Sequence, residues 1–231
     1  MKKVRRLLIV PARSGSKRIK NKNIKVFYGR PIIYYPLILA KKSKLFSKIH
    51  VSTDSKKIKS IVQKINIKID FLRNKKLSKD KTDLYSVIKF VQKKFNKLGF
   101  FFEEIWCILP CSPLLDLKDL QNCSKIMKRS KYPLISVSPY SAPLNWALKI
   151  ENGFLRHSEN IRKEKDKKNK NFYDSGQIYC FTKKFLDTNR TFNFKKKIIP
   201  YILPLTKSVD VDTLDDWSLM KKLYRKRDDR N

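Results

Sequence analysis

Short apolar runs separated by stretches of helical period constrain this chain more than any other feature. That alternation is what a parallel sheet with crossover helices requires. Val4 to Val10 reads as a first strand and Ile49 to Thr53 as a second. Ile105 to Leu109 is apolar without a break, as a strand covered on both faces must be. Further strands are expected at Leu134 to Val137, at 177–181 and at 198–203. Between them, Ile58, Ile61, Val62 and Ile65 recur at the 3.6-residue period, with Asp54 or Ser55 as cap. Leu84, Val87, Ile88 and Val91 form a second such face, capped by Asp83 or Thr82. Helices are also expected over 31–42, 116–129 and 213–226. Pro31 suits the first turn of its helix, whereas Pro36 sits deeper and should kink or shorten it.

The texture changes near residue 139. NWALKIENGFLR reads as a hairpin turning at Glu151-Asn152-Gly153, and the charge run at 161–171 as an exposed loop. One α/β domain over 1–231, with an insertion at about 140–175, accounts for the whole chain. The 231 residues are ample for a core.

Lys and Arg outnumber Asp and Glu by 55 to 20, a formal net charge of +35. A chain this basic binds nucleic acid, a membrane surface or small polyanions such as nucleotides, or it reflects codon usage. Abundant Lys, Ile and Asn beside only five Gly and ten Pro favour the compositional cause, as does the even spread of the lysines. A nucleic-acid-binding protein remains the alternative of another class, although no recognised nucleic-acid motif is present. Cys107, Cys111, Cys123 and Cys180 form no C-x-x-C pair and do not cluster with His50 or His157. Free, mostly buried thiols in a reducing cytoplasm are therefore expected. The apolar run LLIV near the start is too short for a signal or a membrane span, so a soluble, intracellular protein is expected.

Two segments carry candidate chemistry. PARSGSKRIKNKNIK (11–25) holds Arg13, Lys17, Arg18, Lys20, Lys22 and Lys25 and no acid; the first acidic residue in the chain is Asp54. Ser14, Gly15 and Ser16 would let backbone N–H groups approach an anion, with Lys17 and Lys22 neutralising its charge. The loop lies at the carboxyl end of an expected strand, where open α/β sheets bind ligands. Neither the Walker spacing nor G-x-G-x-x-G is present. Gly15, Gly29 and Gly176 are expected at demanding backbone positions, and Gly99 and Gly153 in ordinary turns. In SVDVDT, Asp210 and Asp212 would share a face if the segment is extended, which suits Mg²⁺. Equally, one of them would serve as the cap of the helix beginning near Thr213.

Seven segments together resemble the acylneuraminate cytidylyltransferase (CMP-sialic acid synthetase) family. They are IVPARSGSKRIKNKNIK (9–25), GRPIIYY (29–35), VSTDS (51–55), FLRNKKLSKD (71–80), LPCSPL (109–114), YDSGQIY (173–179) and VDVDTLDDW (209–217). NWALKI (145–150) and YDSGQIYCF (173–181) look most like the pseudaminic acid branch; neuraminic and legionaminic acid enzymes are the near alternatives. The resemblance implies a Rossmann-like nucleotidyltransferase fold, a mostly parallel sheet flanked by helices with a small dimerisation insertion. It implies a homodimer that joins CTP to a nine-carbon acidic sugar and releases pyrophosphate. By resemblance, Arg13, Lys17 and Lys22 hold the CTP phosphates, Asn23 belongs to the same nucleotide-binding stretch, and Arg73 lies near the cytidine. Asp212 would coordinate Mg²⁺ with help from Asp210, while Gln177 and Tyr179 would line the sugar pocket.

The chain departs from the neuraminate pattern at Leu109, where those enzymes carry Gln, and near Leu84, where they carry a small hydroxyl residue. The latter contact must come from Thr82 or be missing. Pro36 also replaces an ordinary helical residue.

Overall fold

A computed structural model of the chain describes residues 4–80, 82–158 and 171–228. From β1 (Arg6–Pro11) the basic loop leads into a ribbon, β2 (Val26–Phe27) and β3 (Arg30–Pro31), and then into α1 (Tyr34–Ser43). β4 (Lys48–Ser52), α2 (Lys56–Gln63), α3 (Leu84–Lys97), β5 (Glu104–Ile108), α4 (Leu117–Arg129) and β6 (Leu134–Pro139) follow. β7 (Leu148–Glu151), β8 (Phe154–His157), β9 (Phe172–Thr182), α5 (Lys183–Thr188), β10 (Ile199–Ile202) and α6 (Leu214–Asp228) complete the chain.

The central sheet has the order β10-β6-β9-β5-β1-β4. β1 runs parallel to β4 and β5, and β6 parallel to β10, while β9 lies antiparallel between β5 and β6. The sheet is thus mostly parallel, as expected, with one reversed strand. Period-two alternation covers both faces. Leu8 and Val10 of β1 pack with Leu37, Val62 and Leu120, while Leu7 and Ile9 pack with Ile88, Val91 and Phe95. Burial of each such side chain contributes roughly 1.5–3 kcal/mol. All four cysteines are free and buried. Among the described residues no helix is long and apolar enough to cross a membrane.

Local chemistry sets the helix starts. Ser55, not Asp54, caps α2 by accepting from the Ile58 N–H, and Asp83, not Thr82, caps α3 by accepting from the Ser86 N–H. Asp116 and Asp119 form a reciprocal capping box on α4. Of the two effects expected of Pro36, a kink or a shorter helix, the structure shows a later start. α1 begins at Tyr34, so Pro36 is its third residue, where the N–H has no intrahelical partner to lose. Pro31, expected in the first turn of that helix, belongs to β3 instead.

Arg6 Nε lies 2.7 Å from Glu104 Oε2, which also accepts from Trp106 Nε1 at 2.9 Å, and all three residues are buried.

β7 and β8 form the expected hairpin, with Asn152 at φ 51° and Gly153 at φ 83°. Two consecutive left-handed residues suit a two-residue turn whose twist matches its strands. The Tyr140 N–H donates to the Asn171 carbonyl at 3.0 Å and closes the neck of this excursion. The charge run at 161–171 lies, apart from Asn171, outside the described residues.

Candidate active site

The chain leaves β1 toward β4 on one side and later places β5 on the other, which opens a crevice at the carboxyl end of β1. A cleft of about 290 Å³ occupies it. Arg13, Ser16, Lys17, Lys22 and Asn23 line it from the basic loop, and Arg73 and Thr82 from the segment between α2 and α3. Gln177, Asp210 and Asp212 complete the residues that the sequence singled out.

The basic loop is braced rather than free. Asn23 is buried, and its Nδ2 donates to the Arg13 carbonyl at 3.0 Å. Ser14 lies outside the main cleft; its N–H and Oγ both donate to Asp54, at 3.0 and 2.8 Å. Gly15 has no positive φ, and a Cβ there would meet nothing within 4 Å, so the backbone does not demand glycine. Gly99 and Gly153, expected in ordinary turns, both hold positive φ.

Carboxylates neutralise the loop from two sides. Asp80 pairs with Arg13 and, at 2.8 Å, with Lys17 Nζ. Asp212 lies 2.9 Å from Arg18 Nη1 and 3.3 Å from Lys22 Nζ, and Lys22 also donates to the Val211 carbonyl. Lys17 and Arg13 together hold the Asp80 carboxyl down at about 2. The sequence reading missed Asp80, and passed over Arg18 as one cation among many.

The acidic segment lies outside the sheet, yet Val211 is buried between Asp210 and Asp212, so both carboxylates turn to the cleft. Neither caps α6. Thr213 Oγ1 accepts from the Asp216 N–H at 3.1 Å, and Asp216 Oδ2 accepts from the N–H groups of Asp212 and Thr213. Val211 shares an apolar cluster with Ile19 of the basic loop, Phe27, Trp217 and Met220. Desolvation by the cleft walls raises the Asp210 carboxyl, and the neighbouring Asp212 charge raises it further.

Those two hard oxygen donors, one destabilised by the other, fit a cation such as Mg²⁺. Among the described residues no group of three or more His, Cys, Asp or Glu side chains gathers to hold a metal, so an ion here would draw further oxygens from a bound phosphate.

β9 carries the remaining pieces. Its register on β6 shifts between Ile135 and Val137, and Gly176 sits in that irregularity at φ 66° with Leu109 Cδ1 3.6 Å from a notional Cβ. Gln177 Nε2 donates to the Ser175 carbonyl at 3.0 Å and the Val209 carbonyl at 3.4 Å. Its Oε1 and the Arg73 Nη2 are buried without a hydrogen-bond partner among the described residues. Burial also lowers the Arg73 guanidinium.

Tyr179 falls elsewhere. Two residues further along the strand, it lines an adjoining cavity of about 400 Å³ with Tyr85, Phe181 and Phe192, and its hydroxyl donates to Asp174 at 3.0 Å. Leu84 lines both cavities. Cys111 also faces the main cleft, but burial pushes its thiol up to about 12, so it is no nucleophile near neutral pH.

A family model described as cytidylyltransferase matches residues 7–231. The chain belongs to the cytidylyltransferase family. It is 30% identical over 224 residues to a CMP-N,N'-diacetyllegionaminic acid synthase of Legionella pneumophila, covering 95% of this chain and 96% of that protein. It is 28% identical over 228 residues to a pseudaminic acid cytidylyltransferase of Campylobacter jejuni, covering 96% and 97%. A CMP:2-keto-3-deoxy-manno-octonic acid synthetase solved in complex with CTP shares the fold, with TM-score 0.72 at 15% identity over 96% of this chain and 99% of that one. In this cytidylyltransferase two of the three departures read from the sequence, Leu84 and Leu109, form cleft wall.

Proposed function

We propose that the chain joins CTP to a nine-carbon acidic sugar, giving the CMP-sugar and pyrophosphate. One observation carries this reading: in a chain of the cytidylyltransferase family, the basic loop and the Asp210/Asp212 pair meet across one cleft. Arg13, Lys17 and Lys22 hold the triphosphate, while Ser14, tied to Asp54, anchors the turn at 14–16 from outside the cleft. Asn23 fixes the loop's backbone through the Arg13 carbonyl. The unpartnered Arg73 Nη2 and Gln177 Oε1 supply a donor and an acceptor for nucleoside or sugar, with Thr82 beside them. Tyr179 borders the sugar from the adjoining cavity.

Asp212, with Asp210, would hold Mg²⁺, which supplies charge neutralisation and orientation of the phosphates. A sugar hydroxyl attacks the α-phosphorus in line and gives up its proton to water, the bond to the bridging oxygen breaks, and pyrophosphate leaves toward the lysines. Positioning and charge stabilisation carry such a step, so no protein nucleophile is needed.

The pseudaminic-type segments at 145–150 and 173–181 favour pseudaminic acid; the 30% identical relative supports legionaminic acid as the second reading. Pyrophosphate release from CTP and Mg²⁺, with pseudaminic, legionaminic and N-acetylneuraminic acids offered separately, tests both. Release with one sugar names the substrate, whereas silence with all three from protein that binds CTP removes this sugar class.

We assign the enzyme to the cytoplasm, where CTP is made, and to a homodimer through the inserted hairpin. Trp146, Leu148, Ile150, Phe154 and Leu155 are between 52% and 75% exposed there, an apolar patch of the kind that marks an interface. Sedimentation should give a dimer, and the double substitution Ile150→Asp/Phe154→Asp a monomer; a wild-type monomer overturns the assignment.

A further inference from the structure

Of the three acids lining the cleft, Asp80 is the one left without a role by the reading above. It lines the cleft from the segment that also presents Arg73 and Thr82. From there it reaches across to two of the cations assigned to the triphosphate, Arg13 and Lys17. We propose that Asp80 is a built-in competitor for phosphate, a carboxylate that occupies the loop's cations and yields them when a triphosphate or pyrophosphate enters. The inference rests on the reading of the cleft as a CTP site.

Three observations support competition over a fixed structural brace. The partners are accessible: the Asp80 side chain is 43% exposed, Lys17 82% and Arg13 35%. Pairs this open to water are individually weak, so a polyanion that satisfies both cations at once displaces the carboxylate readily. The buried pair of Arg6 and Glu104, at 5% and 9%, shows what a permanent link in this protein looks like. Secondly, the loop's backbone is already held by other means, through Asn23 to the Arg13 carbonyl and through Asp54 to Ser14. Thirdly, the Asp80 carboxyl, held at about 2 by Lys17 and then Arg13, stays ionised at every pH near neutrality. The competitor is therefore always charged.

The same carboxylate would help the reaction finish. Pyrophosphate leaves a site rich in lysine and arginine, and an anion waiting to re-pair with Arg13 and Lys17 favours its departure. Asp80 thus sets how tightly the site holds both the incoming and the outgoing phosphates.

Calorimetric titration of inorganic pyrophosphate, and separately of CTP, into the full chain tests this. Asp80→Asn is expected to bind pyrophosphate roughly three- to ten-fold tighter than wild type, the size of removing exposed pairs as competitors. The KM for CTP should fall and inhibition by pyrophosphate strengthen by a similar factor. Asp187→Asn removes an equal charge on α5, where Asp187 meets Gln92 and Lys183, and should leave pyrophosphate binding unchanged. Circular dichroism checks the fold, and Asp80→Ser provides a second variant. Unchanged or weaker pyrophosphate binding, or equal tightening in Asp187→Asn, overturns the proposal. A wild type that binds pyrophosphate but not CTP counts against the nucleotide reading instead, and the Asp80 comparison still stands on pyrophosphate.

Discussion

Asp212→Asn is expected to lower Mg²⁺-dependent pyrophosphate release on the order of 10²- to 10³-fold, with the fold intact. The carboxylate is half-buried on the cleft wall, and its neighbour Asp210 is already raised by desolvation, so one remaining acid makes a poor cation site. A second readout separates this from general damage. Asp212 also occupies Arg18 and Lys22, so its loss frees two cations for phosphate. Binding of CTP without metal should therefore persist or tighten while the gain from added Mg²⁺ disappears. Asp210→Asn should show the same pattern more weakly. Turnover retained in Asp212→Asn would remove the metal assignment.

Glu104→Ala is expected to cost about 3–5 kcal/mol of stability, the largest effect of any single substitution argued for this protein. Glu104 lies on β5, beside the strand that launches the basic loop, and its carboxylate receives Arg6 and the Trp106 indole N–H. Truncation leaves a buried guanidinium and a buried donor without partners, and desolvation then acts unopposed. Urea unfolding monitored by Trp fluorescence measures the loss. The double substitution Arg6→Met/Glu104→Leu should recover most of it, because no charge is left stranded. A loss below about 1 kcal/mol in the single variant would show the pair to be hydrated and unimportant.

The parts of the site legible in the sequence were those with a local signature. An acid-free run of cations after an apolar strand and two aspartates spaced by one residue can be recognised without knowing what they meet. Asp80 could not, because its meaning lies in Arg13 and Lys17, which are far from it in sequence. Direction was equally hidden. The apolar residues of β9 alternate in the same way whether the strand runs up or down, so its reversal between β5 and β6 left no trace. Pro36 was placed too deep through a boundary: with the helix starting at Tyr34 and not at 31, the helix is shorter at its start and the proline falls in its first turn. Tyr179 was grouped with Gln177 by the family resemblance, which says nothing of how far apart the two side chains fall. A step of two residues along a strand is about 7 Å, enough to carry a side chain past the cleft into the next cavity. α5 was missed because six residues hold too few turns for a period to register.

The hydrogen bond from Tyr140 to Asn171 makes the excursion between β6 and β9 leave and rejoin the sheet at one doorway. Beyond it, β7 and β8 add no side chain to the apolar clusters of the body. Substitutions in that hairpin can therefore change its exposed apolar face while leaving the core of the body as it is.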